Sequence, residues 1–152
     1  MEPLFEDFIQ NLQELHDEAQ RLLAGLPQPA LDWTPAAEVN SLTVLAVHLC
    51  GAERYWVGEV VGGEPAGRDR PAEFQAQGLA ADELTRRLED SLTTVRGVLE
   101  KLKTADLERL HLTRDGRQVR AGWVLGHVLK HTAIHLGHMQ LMRQWWEEQQ
   151  GS

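Results

Sequence analysis

The sequence of 152 residues has a single cysteine, Cys50, and no long apolar run. One cysteine cannot form a disulfide within the chain, and its apolar neighbours favour a buried thiol. The longest apolar stretches fall far short of the roughly 20 residues that cross a bilayer. The acidic amino terminus lacks the basic start and apolar middle of a secretory signal. We therefore expect a cytoplasmic protein with no membrane partner.

Basic residues are outnumbered, with 15 Lys and Arg against 23 Asp and Glu, for a formal charge of -8. No run of basic residues forms a stripe that could neutralise phosphates, so no nucleic-acid partner is expected. The hydrophobic fraction of 42% and the charged fraction of 25% are those of an ordinary globular domain. A chain of this length can bury one sizeable core, which predicts a single domain over residues 1–152.

Apolar residues recur at the three- and four-residue spacing of an amphipathic helix in four segments. The segments are Pro3–Leu26, Ser41–Val61, Ala81–Lys103 and Arg120–Trp146. Three prolines end the first helix, and Ser41 offers a cap to the second. Because no strand pattern has comparable strength, the sequence predicts an all-α four-helix bundle.

The two long connections differ in composition. Residues 62–80 are rich in glycine, proline and charge, and are too long for a tight turn between antiparallel neighbours, which predicts a crossover. Residues 104–119 show little periodicity and contain the Asp115-Gly116 turn pair, which favours a loop that can include a short hairpin.

Four of the seven histidines lie on the last predicted helix, in the segment HVLKHTAIHLGH. At 100° per residue, His127, His131, His135 and His138 fall within about 80° of one another, on the side of the apolar residues. They are therefore expected to face the core, largely neutral, because stacked imidazolium ions repel one another. Neutral imidazole is a metal ligand, so the stripe indicates a metal site; a polar structural network is the alternative.

Spacing limits which of these residues can share an ion. Residues four apart on a helix are about 6 Å apart along the axis, whereas residues eight apart are about 12 Å apart and cannot converge. Three pairs of neighbouring histidines remain usable, and spacing does not choose among them. The third ligand must come from elsewhere, and His48 is the best candidate because it lies within another core-forming helix. His16 lies among the acidic residues of the first helix, and His111 lies in a loop.

The sequence resembles the DinB/YfiT-like superfamily of metal-dependent helical bundles over nearly its whole length. The resemblance is carried by the stretch from Trp33 through Asn40-Ser41-Leu42 to His48, by HLCGAERYWVGEVVGG, by RDRPAEF and most specifically by HVLKHTAIHLGHMQLMRQ. The last segment is similar to the HxxxH signature of the family. The resemblance implies His131 and His135 as metal ligands, with His48 as the ligand from the second helix.

The resemblance also implies an up-down-down-up helix order, with the crossover between helices two and three, and a homodimer. Some relatives, including the mycothiol-dependent maleylpyruvate isomerase, carry a carboxylate where His131 stands. The all-histidine set therefore argues against a simple transfer of that activity to this chain.

Three neutral imidazoles leave the charge of a divalent ion uncompensated, which favours a thiolate or hydroxide as its fourth ligand. Zinc and nickel are the foremost candidates, with iron and copper as alternatives. The first functional hypothesis is an enzyme that transfers or isomerises a small-molecule substrate through a metal-held low-molecular-weight thiol. The alternatives are a metal-dependent hydrolase and a non-catalytic binding or stress-related module with a structural metal.

Five further residues are candidates for supporting roles. His127 and His138 are candidates to orient ligands or accept a proton, with the alternative that they only fill the stripe. Glu53 is a candidate base for hydrolysis. Arg68 and Arg70 are candidates for binding an anionic substrate if the crossover folds over the site. The alternative for both arginines is a solvated surface charge.

Overall fold

Four long helices form the bundle in the computed structural model, which describes residues 1–151. The six α-helices are α1 (Pro3–Leu23), α2 (Gln28–Leu31), α3 (Leu42–Glu53), α4 (Arg70–Glu73), α5 (Ala81–Leu99) and α6 (Ala121–Gln150). Helix α3 begins as predicted, with the Ser41 hydroxyl accepting a hydrogen bond from the Val44 amide. None of the described helices combines the length and hydropathy that a membrane span needs.

Helix α3 continues directly into a π-helical segment, Arg54–Val61, which the sequence pattern did not predict. Here the Gly62 amide donates to the Val57 carbonyl, five residues earlier, at 2.9 Å. The wider winding rotates the following side chains relative to an α-helix. Tyr55 and Val57 are buried, whereas Trp56 is only half-buried.

The apolar core is divided into two clusters along the bundle. One cluster is built from the beginnings of α1 and α6, the π-helical segment and the end of α5. The other is built from the ends of α1 and α6 and the beginnings of α3 and α5. Helices α1 and α3 each pack against both α5 and α6.

A layer of polar side chains contains one residue from each long helix: His16, Glu53, Ser91 and Thr132. We call these four residues the polar layer. Imidazole Nε2 of His16 donates to both carboxylate oxygens of Glu53, at 2.9 and 3.0 Å. The hydroxyls of Ser91 and Thr132 donate to the same carboxylate at 2.6 and 2.8 Å. All four side chains are buried, so the layer joins the four helices through one carboxylate.

The polar layer holds a buried charge pair. Nδ1 of His16 lies 3.1 Å from the Leu88 carbonyl oxygen, so both ring nitrogens face acceptors and the ring is a cation. Burial acts to lower the pKa of His16, but the charge and hydrogen bonds of Glu53 outweigh it, and the net pKa is raised. His16 lies among acidic residues in the sequence, but its ring points into the bundle and is fully buried.

Both predicted connections contain short elements. The crossover holds α4, and the second connection holds a 3-10 helix, Thr104–Glu108, and a hairpin of β1 (Leu110–Leu112) and β2 (Gln118–Arg120). The strands are antiparallel, with His111 opposite Val119, and Gly116 takes a φ of +84° in the turn. The hairpin option is confirmed, and its turn is anchored because the Arg114 amide donates to the Tyr55 hydroxyl at 3.0 Å.

Candidate metal centre

Three histidine side chains from two helices meet between α3 and α6. Nε2 of His131 lies 3.0 Å from Nε2 of His48 and 3.1 Å from Nε2 of His135. The candidate ligand atoms of these three residues, which we call the histidine cluster, all lie within 4.8 Å of one another. Two nitrogens bound tetrahedrally at the usual zinc distance are about 3.3 Å apart, so two of the separations are close to those of a metal centre.

Hydrogen bonding among the rings does not account for the arrangement of the histidine cluster. An imidazole nitrogen carries either one proton or one lone pair, so His131 Nε2 can make one good hydrogen bond, yet it faces two neighbours. Within residues 1–151, Nδ1 of His131 is also buried without a hydrogen-bond partner. A cation between the three nitrogens would satisfy all the lone pairs that converge there.

The electrostatics of the site keep the His131 and His135 rings neutral. Burial lowers the pKa of His131 to about 3, with further contributions from His135 and His48. Burial and the neighbouring His48 lower the pKa of His135 to about 4. A neutral imidazole keeps a lone pair on one of its two ring nitrogens, which is the state that binds a metal ion. The donor set therefore fits a divalent cation with nitrogen preference.

The predicted burial of the histidine stripe is correct only in part. His131 and His135 are half-buried and His138 is exposed, so the stripe lies at the edge of the core rather than inside it. His48, by contrast, is 5% exposed.

His48 is held from the side opposite the histidine cluster by a carboxylate that the sequence analysis did not single out. Nδ1 of His48 donates to Oε1 of Glu73, on α4, at 3.0 Å. Arg68 donates to both oxygens of the same carboxylate, at 2.8 and 2.9 Å. Burial acts to raise the pKa of Glu73, but the hydrogen bonds from His48 and Arg68 outweigh it and lower the pKa. Glu73 is therefore an anion that fixes the orientation of the His48 ring.

The two other histidines of the stripe contact the cluster from either end. The His127 ring stacks on Trp123, with ring centres 4.8 Å apart and 9° between the planes. Nδ1 of His138 lies 3.4 Å from Nδ1 of His135, which is a weak contact at an exposed position. His138 therefore contacts a ring of the cluster through a nitrogen, whereas His127 contributes a ring face beside it.

Glu53, the candidate base, is not brought to the histidine cluster. Its carboxylate is 0% exposed and accepts hydrogen bonds from the three other members of the polar layer. A carboxylate with this many donors is poorly placed to remove a proton from a substrate. The expectation that Glu53 reaches the site was wrong because its side chain points across the bundle towards α1.

The two arginines of the crossover have different environments. Arg68 is nearly buried, paired with Glu73, and its guanidinium lies 5.7 Å from the centre of the Tyr55 ring. Arg70 is exposed and lies 5.1 Å from the centre of the Phe74 ring, and it forms no ion pair with any described carboxylate. Arg70 is therefore the crossover arginine that remains available to an anion.

A cavity of about 490 Å³ opens beside the histidine cluster. Its lining combines imidazoles, aromatic rings and guanidinium groups, from His48, Tyr55, Trp56, Arg70, His127 and His131 among others. This volume lies within the range of small-molecule sites.

A second cavity, of about 340 Å³, is lined in part by Glu73 and Cys50. Burial raises the pKa of the Cys50 thiol well above its usual range, which argues against a nucleophilic role.

The fold and the site together define a class: helical-bundle proteins with a candidate metal centre of three histidines from two helices. The family model described as mycothiol S-transferase matches residues 7–147. The chain therefore belongs to the mycothiol S-transferase family. A DinB-like protein and YfiT are among the solved structures that share its fold.

Three solved structures illustrate how far the fold is shared. A conserved protein from Enterococcus faecalis has a TM-score of 0.80 at 14% identity, with 95% of this chain and 97% of that chain covered. YfiT from Bacillus subtilis, described as a probable metal-dependent hydrolase with an unusual four-helix bundle topology, has a TM-score of 0.76 at 13% identity, with 97% and 90% covered. Mycothiol-dependent maleylpyruvate isomerase has a TM-score of 0.67 at 17% identity, with 89% and 60% covered.

At these identities the structural likeness shows the fold alone, and it confirms the predicted four-helix bundle. The search of the curated proteins gave no match.

Proposed function

We propose that this protein is a metal-dependent thiol S-transferase that uses mycothiol or a similar low-molecular-weight thiol. His48, His131 and His135 would hold one divalent cation, with zinc or nickel as the foremost candidates. The observation that carries the proposal is the convergence of three imidazole nitrogens beside an open cavity. The match to the mycothiol S-transferase family supports the choice of thiol.

A cation bound by three neutral ligands would lower the pKa of a thiol and present it as a nucleophilic thiolate. In the transfer, the sulfur forms a bond to an electrophilic carbon, and a leaving group departs with the electron pair of the broken bond. The proton of the thiol passes to solvent. The chain itself would contribute position, because Glu73 fixes His48 and the cavity would hold both reactants next to the cluster.

The cavity lining also supports a class of substrate. Tyr55, Trp56 and His127 offer ring faces to a planar or apolar group, and Arg70 offers an unpaired guanidinium to a carboxylate. A small electrophile that carries an acid group fits this combination of surfaces.

Two alternatives have less support. Hydrolysis requires a base near the reacting water, but Glu53 is enclosed in the polar layer and Glu73 is held by His48 and Arg68. A structural metal normally has a closed set of four protein ligands, whereas three residues form the cluster within the described chain and a cavity adjoins it.

The proposal is tested by loading the metal-free protein with zinc or nickel and mixing it with mycothiol and an aryl halide that carries a carboxylate. We expect thioether formation above the uncatalysed rate, dependent on the metal and faster with mycothiol than with glutathione or cysteine. The matched control is His131→Ala, which should lose the activity. Equal rates for wild type and this variant would contradict the proposal.

A further inference from the structure

We propose that Glu73 is a positioning residue, delivered by the crossover, that sets His48 for metal binding, and that Gly51 is the residue that makes room for it. The inference rests on the proposed metal site but concerns residues outside the ligand set. It is carried by three observations: the hydrogen bonds of Glu73, the absence of a side chain at Gly51 and the place of Glu73 in the fold.

The Glu73 carboxylate is clamped from two directions. His48 donates to Oε1 from one side, and Arg68 donates to both oxygens from the other. The Glu73 side chain is 7% exposed, and that of Arg68 is 9% exposed. A buried carboxylate with a bidentate arginine partner has little freedom to move, so the direction of the His48 ring is fixed as well.

Gly51 lies one helical turn after His48 on the same helix. A Cβ atom added at Gly51 would lie 2.0 Å from Oε2 of Glu73 and 2.8 Å from its Cδ. The carboxylate therefore occupies the space that a side chain at position 51 would fill. Glycine in a helix interior is less favourable than alanine, so its presence here has a packing reason.

The effect of Glu73 on His48 is chemical as well as geometric. A ring that donates from Nδ1 to a carboxylate keeps the lone pair on Nε2, the atom that faces His131. Loss of a partner of this kind typically weakens metal affinity by about 10- to 100-fold.

The contact also ties the crossover to the site. Glu73 and Arg68 belong to the long connection between α3 and α5, and Glu73 bonds directly to a residue of α3. A contact that strengthens metal binding must itself be strengthened by the metal, because the coupling of two equilibria is reciprocal. Metal binding should therefore stabilise the hydrogen bond that holds the crossover to α3.

The test compares Gly51→Ala with Gly97→Ala, a matched change at a helical glycine of α5 whose added Cβ would meet nothing within 4 Å. Zinc affinity is measured by competition with a coloured chelator. We expect a 10- to 100-fold loss in Gly51→Ala and an unchanged value in Gly97→Ala. Should Gly51→Ala not fold, Glu73→Ala removes the carboxylate without crowding and should give the same loss.

A second readout does not require the metal. Nitrogen-15 NMR of the metal-free protein reports which nitrogen of His48 carries the proton. We expect protonation at Nδ1 in wild type and Gly97→Ala, and a mixture of the two tautomers in Gly51→Ala. Wild-type affinity together with a wild-type tautomer in Gly51→Ala and Glu73→Ala would overturn the inference. Failure of the wild type to bind zinc would instead contradict the proposed function, and the NMR result would still decide the role of Glu73.

Discussion

The polar layer and the histidine cluster differ in how their polar atoms are satisfied, although they include adjacent residues of α6, Thr132 and His131. In the polar layer the imidazole, both hydroxyls and the carboxylate are matched as donors and acceptors, and the charges cancel. In the cluster three Nε2 atoms face one another, and no carboxylate joins them within the part of the chain that the structure describes.

This difference separates a structural role from a ligand-binding role. A buried polar group that has all its hydrogen bonds gains little from a further partner, whereas converging lone pairs repel until something positive lies between them. The polar layer is therefore complete as it stands, and the cluster is complete only with a cation. Substitutions in the polar layer should therefore lower the free energy of unfolding, whereas substitutions in the histidine cluster should lower the metal affinity.

The largest expected effect is the loss of metal from His131→Ala or His135→Ala. Loss of a residue that hydrogen-bonds to a metal ligand typically weakens metal affinity by up to about 100-fold. Each of these changes removes a ligand itself, so the metal affinity should fall further. Most of the helicity should remain, because both rings lie at the edge of the core. Elemental analysis and circular dichroism measure the two quantities. The control is His138→Ala, at an exposed position, which should keep its metal. If His131→Ala and His135→Ala kept as much metal as His138→Ala and the wild type, the ligand assignment would be contradicted.

The next effect concerns stability. Glu53→Ala leaves the His16 imidazolium buried without its partner, and breaking a buried ion pair in this way costs about 3–5 kcal/mol. Urea unfolding of the metal-free protein gives the free energy of unfolding. Glu89→Ala, at an exposed position of α5, should change it by less than about 0.5 kcal/mol.

Metal affinity of the folded Glu53→Ala protein tests whether the polar layer and the histidine cluster are independent of each other. We expect an affinity close to that of wild type, because Glu53 does not contact the cluster. A loss as large as that of His131→Ala would show that the two groups are not independent.

The smallest predicted effect is a pH dependence of stability that comes from His16. The folded-state pKa of His16 is raised above 6.5, with Glu53 holding the charged form against the cost of burial. The folded protein therefore holds this proton more tightly than the unfolded chain. The stabilisation is fully present below pH 6.5 and is lost as the pH rises through the folded-state pKa, at most about 1.4 kcal/mol per pH unit.

Urea unfolding of wild type and His16→Gln at several pH values tests this sign. The wild-type advantage should shrink as the pH rises, because glutamine has no proton to lose in this range. Parallel profiles for the two proteins would mean that His16 is neutral in the bundle.

The positions of the four long helices could be predicted from the sequence, since apolar residues at three- and four-residue spacing leave few other folds. The π-helical segment Arg54–Val61 could not, because its residues continue the same apolar stripe and the difference lies in hydrogen bonding. Likewise the burial of His16 depends on Glu53, which is 37 residues away in the chain. Periodicity within one helix carries no information about such a partner.

For the candidate site, the sequence indicated the histidines but not the residues that orient them. Spacing left three histidine pairs open on the last helix, and the family resemblance was needed to select His131 and His135. Glu73 lies in the connection that the sequence analysis treated as a loop rich in charge. The feature of the sequence that could have indicated Glu73 is the RDRPAEF segment, in which an arginine and a glutamate lie five residues apart. Only the folded crossover brings the carboxylate of that glutamate to His48.

X-ray absorption spectroscopy at the metal edge of the loaded protein, before and after addition of mycothiol, tests the central claim most directly. The three imidazoles predict nitrogen neighbours at about 2.0–2.1 Å, with a sulfur neighbour at about 2.3 Å appearing when the thiol is added. A spectrum that lacks imidazole scattering, or one that stays the same in His131→Ala, would contradict a metal centre built from His48, His131 and His135.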